Sequence, residues 1–223
     1  MTSLALLQLL RLASPALPVG GYAYSQGLEQ VVQAGVVTGE ESLSGWLEGL
    51  LLSGLATLDL PMLAGMRRAW AEGDETAALA LNRELLAWRD CAEARLEERQ
   101  MGSALAAILA EAGVEPAKAY GAGSPATYLG AFALACAAWS IPERESLLAF
   151  AFSWAENQVT AGVKLIPLGQ KAGQRVLARL LARIDQAVQT ALGQPGRPLY
   201  SSTPGRGLAQ LLHAGQDARM FRS

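Results

Sequence analysis

Chemistry by side chains would require the few reactive groups of this chain to meet, and their spacing decides what they could do. The sequence has one histidine, His213, and two cysteines, Cys91 and Cys136, with no C-x-x-C pair. A His/Cys metal site takes three or four ligands, and Ser-His or Cys-His hydrolysis needs an organised triad. One protomer offers neither, and two His213 side chains meeting in a dimer would form only a weak, transient site. The nearest approach to an acid/base or carboxylate metal pair is Glu93 with Glu97, one helical turn apart on one face. Arginines interleave with them, and hard cations gather more oxygen ligands than two glutamates supply. Arg89 with Glu93 and Arg95 with Glu98 have the spacing to neutralise one another on one helix, so a solvated or partner-facing charged face is expected. A helical enzyme using Glu93 and Glu97 is the rival reading. There is no G-x-x-x-x-G-K-[ST] phosphate loop and no G-x-G-x-x-G after a credible strand. No catalytic residue, cofactor site or metal site is therefore expected.

Two other positions could serve recognition. Lys164 is the only charged residue between Glu156 and Lys171, placed to snorkel from an apolar face or to meet a partner's carboxylate. Tyr22 and Tyr24 lie in the stretch Leu12–Glu29, where Pro15, Pro18, Gly20 and Gly21 interrupt a helical pattern. Proline fixes φ and disfavours helix at the preceding residue, while glycine admits positive φ, so this is a shaped connection that aims its tyrosines.

The elements around these groups read as helices. Leucines from Leu4 to Leu12 form a short first helix that stops before Pro15, and a second runs to about Ala34, ended by Gly35. Glu29, in its first two turns, is expected to stabilise the helix dipole. A third spans Glu40 to Ala56; Asp59-Leu60-Pro61 then marks a fresh start or kink. Another ends near Gly73, and Asp74 caps the next, which continues to Asp90. Residues 113–125 read as a loop joining two halves of one domain. Tyr128 to Ile141 is uncharged but shorter than the ~20 residues a spanning helix needs, so it reads as a buried core helix. Ser140 to Glu143 has capping-box spacing, and Pro167 breaks the helix before a long one through Val176 to Val188. From Gly193 onward the Gly/Pro/Ser/Thr-rich composition reads as a mobile linker and tail.

Composition limits the partners. Hydrophobic residues make up 51% and charged residues 17%, and net charge is −2; mean hydropathy is +0.21 and pI about 5.5. Nucleic acid is excluded as the main partner by charge. The apolar excess suggests a protein-facing surface. Separated thiols suggest a reducing, cytoplasmic setting, and the apolar N-terminus lacks the basic region of a signal peptide. A peripheral membrane role for the leucine-rich first helix is a further alternative.

Three stretches carry a family resemblance: Ser14, Leu17-Pro18-Val19-Gly20, Tyr22, Ser25 and Gly27-Leu28-Glu29; Val163-Lys164-Leu165-Ile166-Pro167-Leu168-Gly169-Gln170; and His213 with Arg219-Met220-Phe221-Arg222-Ser223. Together they resemble the UreF family of urease accessory proteins. Ala214 and Met220 depart from the family's usual Glu and Leu. The resemblance implies an all-α, single-domain bundle of roughly eight to ten helices, with a helical domain over 1–192 and a flexible, partner-binding tail over 193–223. It also implies a homodimeric, non-catalytic scaffold that joins a UreD/UreH-type protein to the UreG GTPase and couples GTP hydrolysis to nickel delivery into urease apoprotein. By the same resemblance Tyr22, Lys164 and Arg219 face the GTPase, while Arg219, Phe221 and Arg222, with the first helix, bind the UreD-type partner and order on doing so. No membrane or nucleic acid is implied.

Overall fold

The most apolar helix lies at the centre. Every residue from Leu129 to Cys136 is buried, as expected for a helix apolar on all sides. A computed structural model describes residues 1–120, 126–193 and 199–222, and among them all regular structure is helical. In chain order the helices are α1 Ser3–Leu12, α2 Leu28–Gln33, α3 Glu40–Leu50, α4 Leu60–Glu72, α5 Glu75–Trp88 and α6 Ala92–Glu111. They continue as α7 Glu115–Ala119, α8 Tyr128–Ala138, α9 Glu143–Leu165, α10 Gln170–Leu192 and α11 Pro204–Ala214. The central α8 packs against α4, α6 and α9, and α10 runs along α9 and α3. One core of Leu, Ala and Phe side chains links them into a single all-α domain.

Several boundaries fall where local chemistry puts them. Gly35 and Gly73 take positive φ after α2 and α4, and the Asp74 carboxylate accepts from the Ala77 amide at 2.9 Å to cap α5. Four expectations change. Of the two readings of Asp59-Leu60-Pro61, a fresh start or a kink, the fresh start gives way, because a π-helical stretch, Leu51–Asp59, joins α3 and α4. A proline ring inside a helix clashes with the carbonyl four residues back, and a widened turn relieves it. Residues 115–119 of the expected loop form α7, while residues 121–125 lie outside the described residues. Ser140 does not cap α9, whose N-cap is Pro142. The region expected to be a mobile tail contains α11, packed against α2 and α6; residues 194–198 and 223 lie outside the described residues.

The joined helix, Glu40–Glu72, is long and apolar enough by length and composition to cross a membrane. Yet 67% of its most apolar window is buried within the protein.

Candidate functional site

Pro61 prepares the seat of the C-terminal segment. It has no N–H for the Thr57 carbonyl four residues back, and the Tyr200 amide donates to that carbonyl instead, at 3.3 Å. The Ser202 amide donates to the Ser53 carbonyl at 2.9 Å, so residues 200–202 lie along the π-helical stretch. Gly27 then admits α11: at φ +84° it favours glycine, and a Cβ there would stand 2.9 Å from the Ala209 Cβ.

The chain end closes on Glu29. This carboxylate is buried and accepts from the Met220 amide at 2.8 Å and the Phe221 amide at 3.0 Å. It also pairs with His213 Nε2 at 2.8 Å. Burial alone would raise the Glu29 pKa, but the bonds from His213, Met220 and Phe221 outweigh it and hold it below the usual carboxylate value. His213, expected in a mobile tail, is 0% exposed.

Around this clasp the three stretches converge. The Arg222 amide donates to the Ala23 carbonyl at 2.8 Å, and its guanidinium approaches Gln100 Oε1 at 3.4 Å. Lys164, in the last turn of α9, holds its Nζ 5.9 Å from the Phe221 ring centroid, within cation–π range. Gly20, at φ +78°, leads into a 3-10 turn, Gly21–Ala23, that leaves Tyr22 69% exposed. Tyr24 instead points inward, its hydroxyl donating to Gln100. Burial, foremost, raises the Tyr24 pKa. Gln26 has positive φ, 54°; its side chain donates to Glu97 at 2.7 Å and accepts from Trp154 at 2.9 Å.

Tyr22, Lys164, Arg219 and Arg222 are therefore all exposed, on elements tied to one another. Phe221 differs: only 5% exposed, it anchors the chain end, and its ring is not presented at the surface. Sequence reasoning missed Glu29 as the hub. Its available signal was a carboxylate in a short apolar helix of a chain with a single histidine.

The expected charged face of α6 is also different. Arg89 lies beyond the end of α5, and its side chain turns inward to Asp59 and Glu98, each 2.5 Å away, rather than to Glu93. The other Glu98 oxygen accepts from the Tyr128 and Leu129 amides at the start of α8, at 3.0 and 3.3 Å. Arg95 donates to the Arg89 carbonyl at 2.6 Å. A cavity of about 150 Å³ lies beside this network, lined by Asp59, Glu97, Glu98 and Arg206 among others. Burial lowers the Arg206 pKa against the pull of Asp59, Asp90 and Glu97. Among the described residues no group of three or more His, Cys, Asp or Glu side chains is arranged to hold a metal ion.

The helical body thus carries an exposed tyrosine and exposed basic side chains on three stretches that are far apart in sequence and tied together around Glu29. The chain belongs to the UreF family of urease accessory proteins. The UreF family model matches residues 37–181, and similarity to full-length relatives extends over both ends. Urease accessory protein UreF of Azoarcus sp. strain BH72 is 43% identical over 226 residues, covering 99% of this chain and 96% of the relative. That of Pseudomonas putida strain F1 is 45% identical, with 100% and 99% covered. The bifunctional urease accessory protein UreEF of Bordetella bronchiseptica is 41% identical over 96% of this chain but only 51% of its own length.

Proposed function

We propose that this chain is a non-catalytic scaffold in urease maturation that joins a UreD/UreH-type protein to the UreG GTPase. In this role it couples GTP hydrolysis to nickel delivery into urease apoprotein, nickel being cargo. The observation that carries the reading is the convergence of the 14–29, 163–170 and 213–222 stretches. Tyr22, Lys164 and Arg219 form the GTPase-facing set; an exposed tyrosine and exposed basic groups suit an acidic, hydrogen-bonding protein surface. Phe221 acts from inside by seating the chain end, and Arg222 fixes it against Ala23.

The UreD-type partner takes the apolar faces of α1 and α11. On α11 the usual helix pattern is inverted: Leu208, Leu211 and Leu212 are exposed, whereas Gln210 and His213 are buried. On α1, Leu4, Leu7 and Leu10 are exposed. Such leucine faces are expected beneath a partner. The chain works as a homodimer, as the resemblance implies, and in the cytoplasm, which suits its two free, buried cysteines.

The test is co-expression with the UreD-type protein and the GTPase, followed by pull-down of wild type, Tyr22→Ala and Arg219→Ala. The expected result is a complete complex with wild type and loss of the GTPase alone from both variants. Wild type binding neither partner would overturn the scaffold reading.

A further inference from the structure

We propose that Glu29 is a positioning residue for GTPase recruitment: its carboxylate holds the C-terminal segment in the conformation that presents Arg219. The inference rests on the recruitment reading above and adds the group that builds the recruiting surface.

Three donors from the chain end meet two carboxylate oxygens. Met220 N–H meets Oε1, while Phe221 N–H and His213 Nε2 meet Oε2. Bonds to an ionised acceptor are stronger than neutral ones. They also span a separation of 184 to 192 residues, so no local element supplies the same restraint. His213 Nδ1 is buried without a hydrogen-bond partner, leaving the imidazole's orientation dependent on Glu29.

The consequences pass directly to the surface. Consecutive amides 220 and 221 held by one carboxylate fix the backbone on either side. That places Phe221 beneath Lys164 and delivers the Arg222 amide to the Ala23 carbonyl, one residue from Tyr22. Arg219 and Met220 are left facing outward. The functional side chains are exposed and make few bonds of their own. Their placement is set from below.

Glu29→Gln is the direct test, because it keeps size and shape. Its Nε2 would oppose a donor where an oxygen now accepts. Hydrogen exchange of the full chain is expected to show the Met220 and Phe221 amides at least tenfold faster, with α8 amides unchanged. With the UreD-type protein present, GTPase capture is expected to fall at least tenfold. Met220→Pro removes one donor at an exposed position without touching the buried carboxylate, so it keeps the test open should Glu29→Gln fail to fold. It should free the Phe221 amide, whereas Met220→Ala should keep that amide protected.

Unchanged exchange in Glu29→Gln and Met220→Pro would overturn the clasp. Faster exchange with full GTPase capture would overturn the positioning role. If wild type captures no GTPase, the recruitment reading itself fails and the positioning role falls with it, while the exchange data still report whether Glu29 holds the chain end.

Discussion

Glu98 and Glu29 are both buried carboxylates that gather donors from elsewhere in the chain, and they serve different ends. Glu98 joins Arg89 and the first amides of α8, and with Asp59 it neutralises a guanidinium inside the helical body. Glu29 joins α2 to the last residues of the chain. Both gather several donors, as buried charge requires. The first ties core helices together, and its loss should be felt by the whole fold. The second holds an end that lies at the surface, and its loss should be felt chiefly by whatever binds there.

The largest expected effect separates them most sharply. Arg89→Ala leaves the Asp59 and Glu98 carboxylates buried without their cation and should destabilise the domain by about 3–5 kcal/mol. In thermal unfolding that is a drop in Tm of roughly 10 °C. Gly27→Ala follows: it forces a side chain into positive φ and against Ala209, at more than about 1 kcal/mol. Limited proteolysis should show α11 cut sooner while α8 stays protected. Equal proteolytic sensitivity in both helices would erase the distinction between body and clasp.

Acid sharpens the same comparison. The Glu29 pKa is held below its ordinary value of 4.5, so between the folded and unfolded values the unfolded chain binds more protons and stability rises with pH. The clasp's contribution is complete above about pH 4.5 and is lost as pH falls through the folded value. Exchange at Met220 and Phe221, corrected for intrinsic rates, should therefore rise as pH falls below about 4.5. The smallest effect lies on the outer face of α10. Arg175→Ala removes an exposed pair with Glu40 and should leave Tm unchanged.

Much of the helical body was legible from residue pattern: the uncharged run that became α8, the glycine and aspartate at 73 and 74, and the break at Pro167. These depend on neighbours in sequence. The clasp was not legible for the opposite reason, since Glu29 finds its donors 184 and more residues away. Composition also misled at α11. A stretch opening Pro-Gly-Arg-Gly, with leucines on its outer face and Gln210 and His213 inside, carries none of the usual marks of a docked helix. Arg89 had an apparent partner in Glu93 by spacing, but α5 ends at Trp88 and sends that side chain into the core. For the candidate surface, Tyr22, Lys164 and Arg219 could be named as residues from the resemblance, but their arrangement was not legible, because no spacing along the chain encodes the contact between Phe221 and Lys164.

The most direct measurement is photocrosslinking within the assembled complex, with a crosslinking residue placed in turn at positions 22, 164 and 219 and a control at exposed Leu181. One continuous surface predicts that all three positions label the same GTPase chain and that the control does not. Labelling of different partners by the three positions, or of the GTPase from position 181 alone, would contradict it.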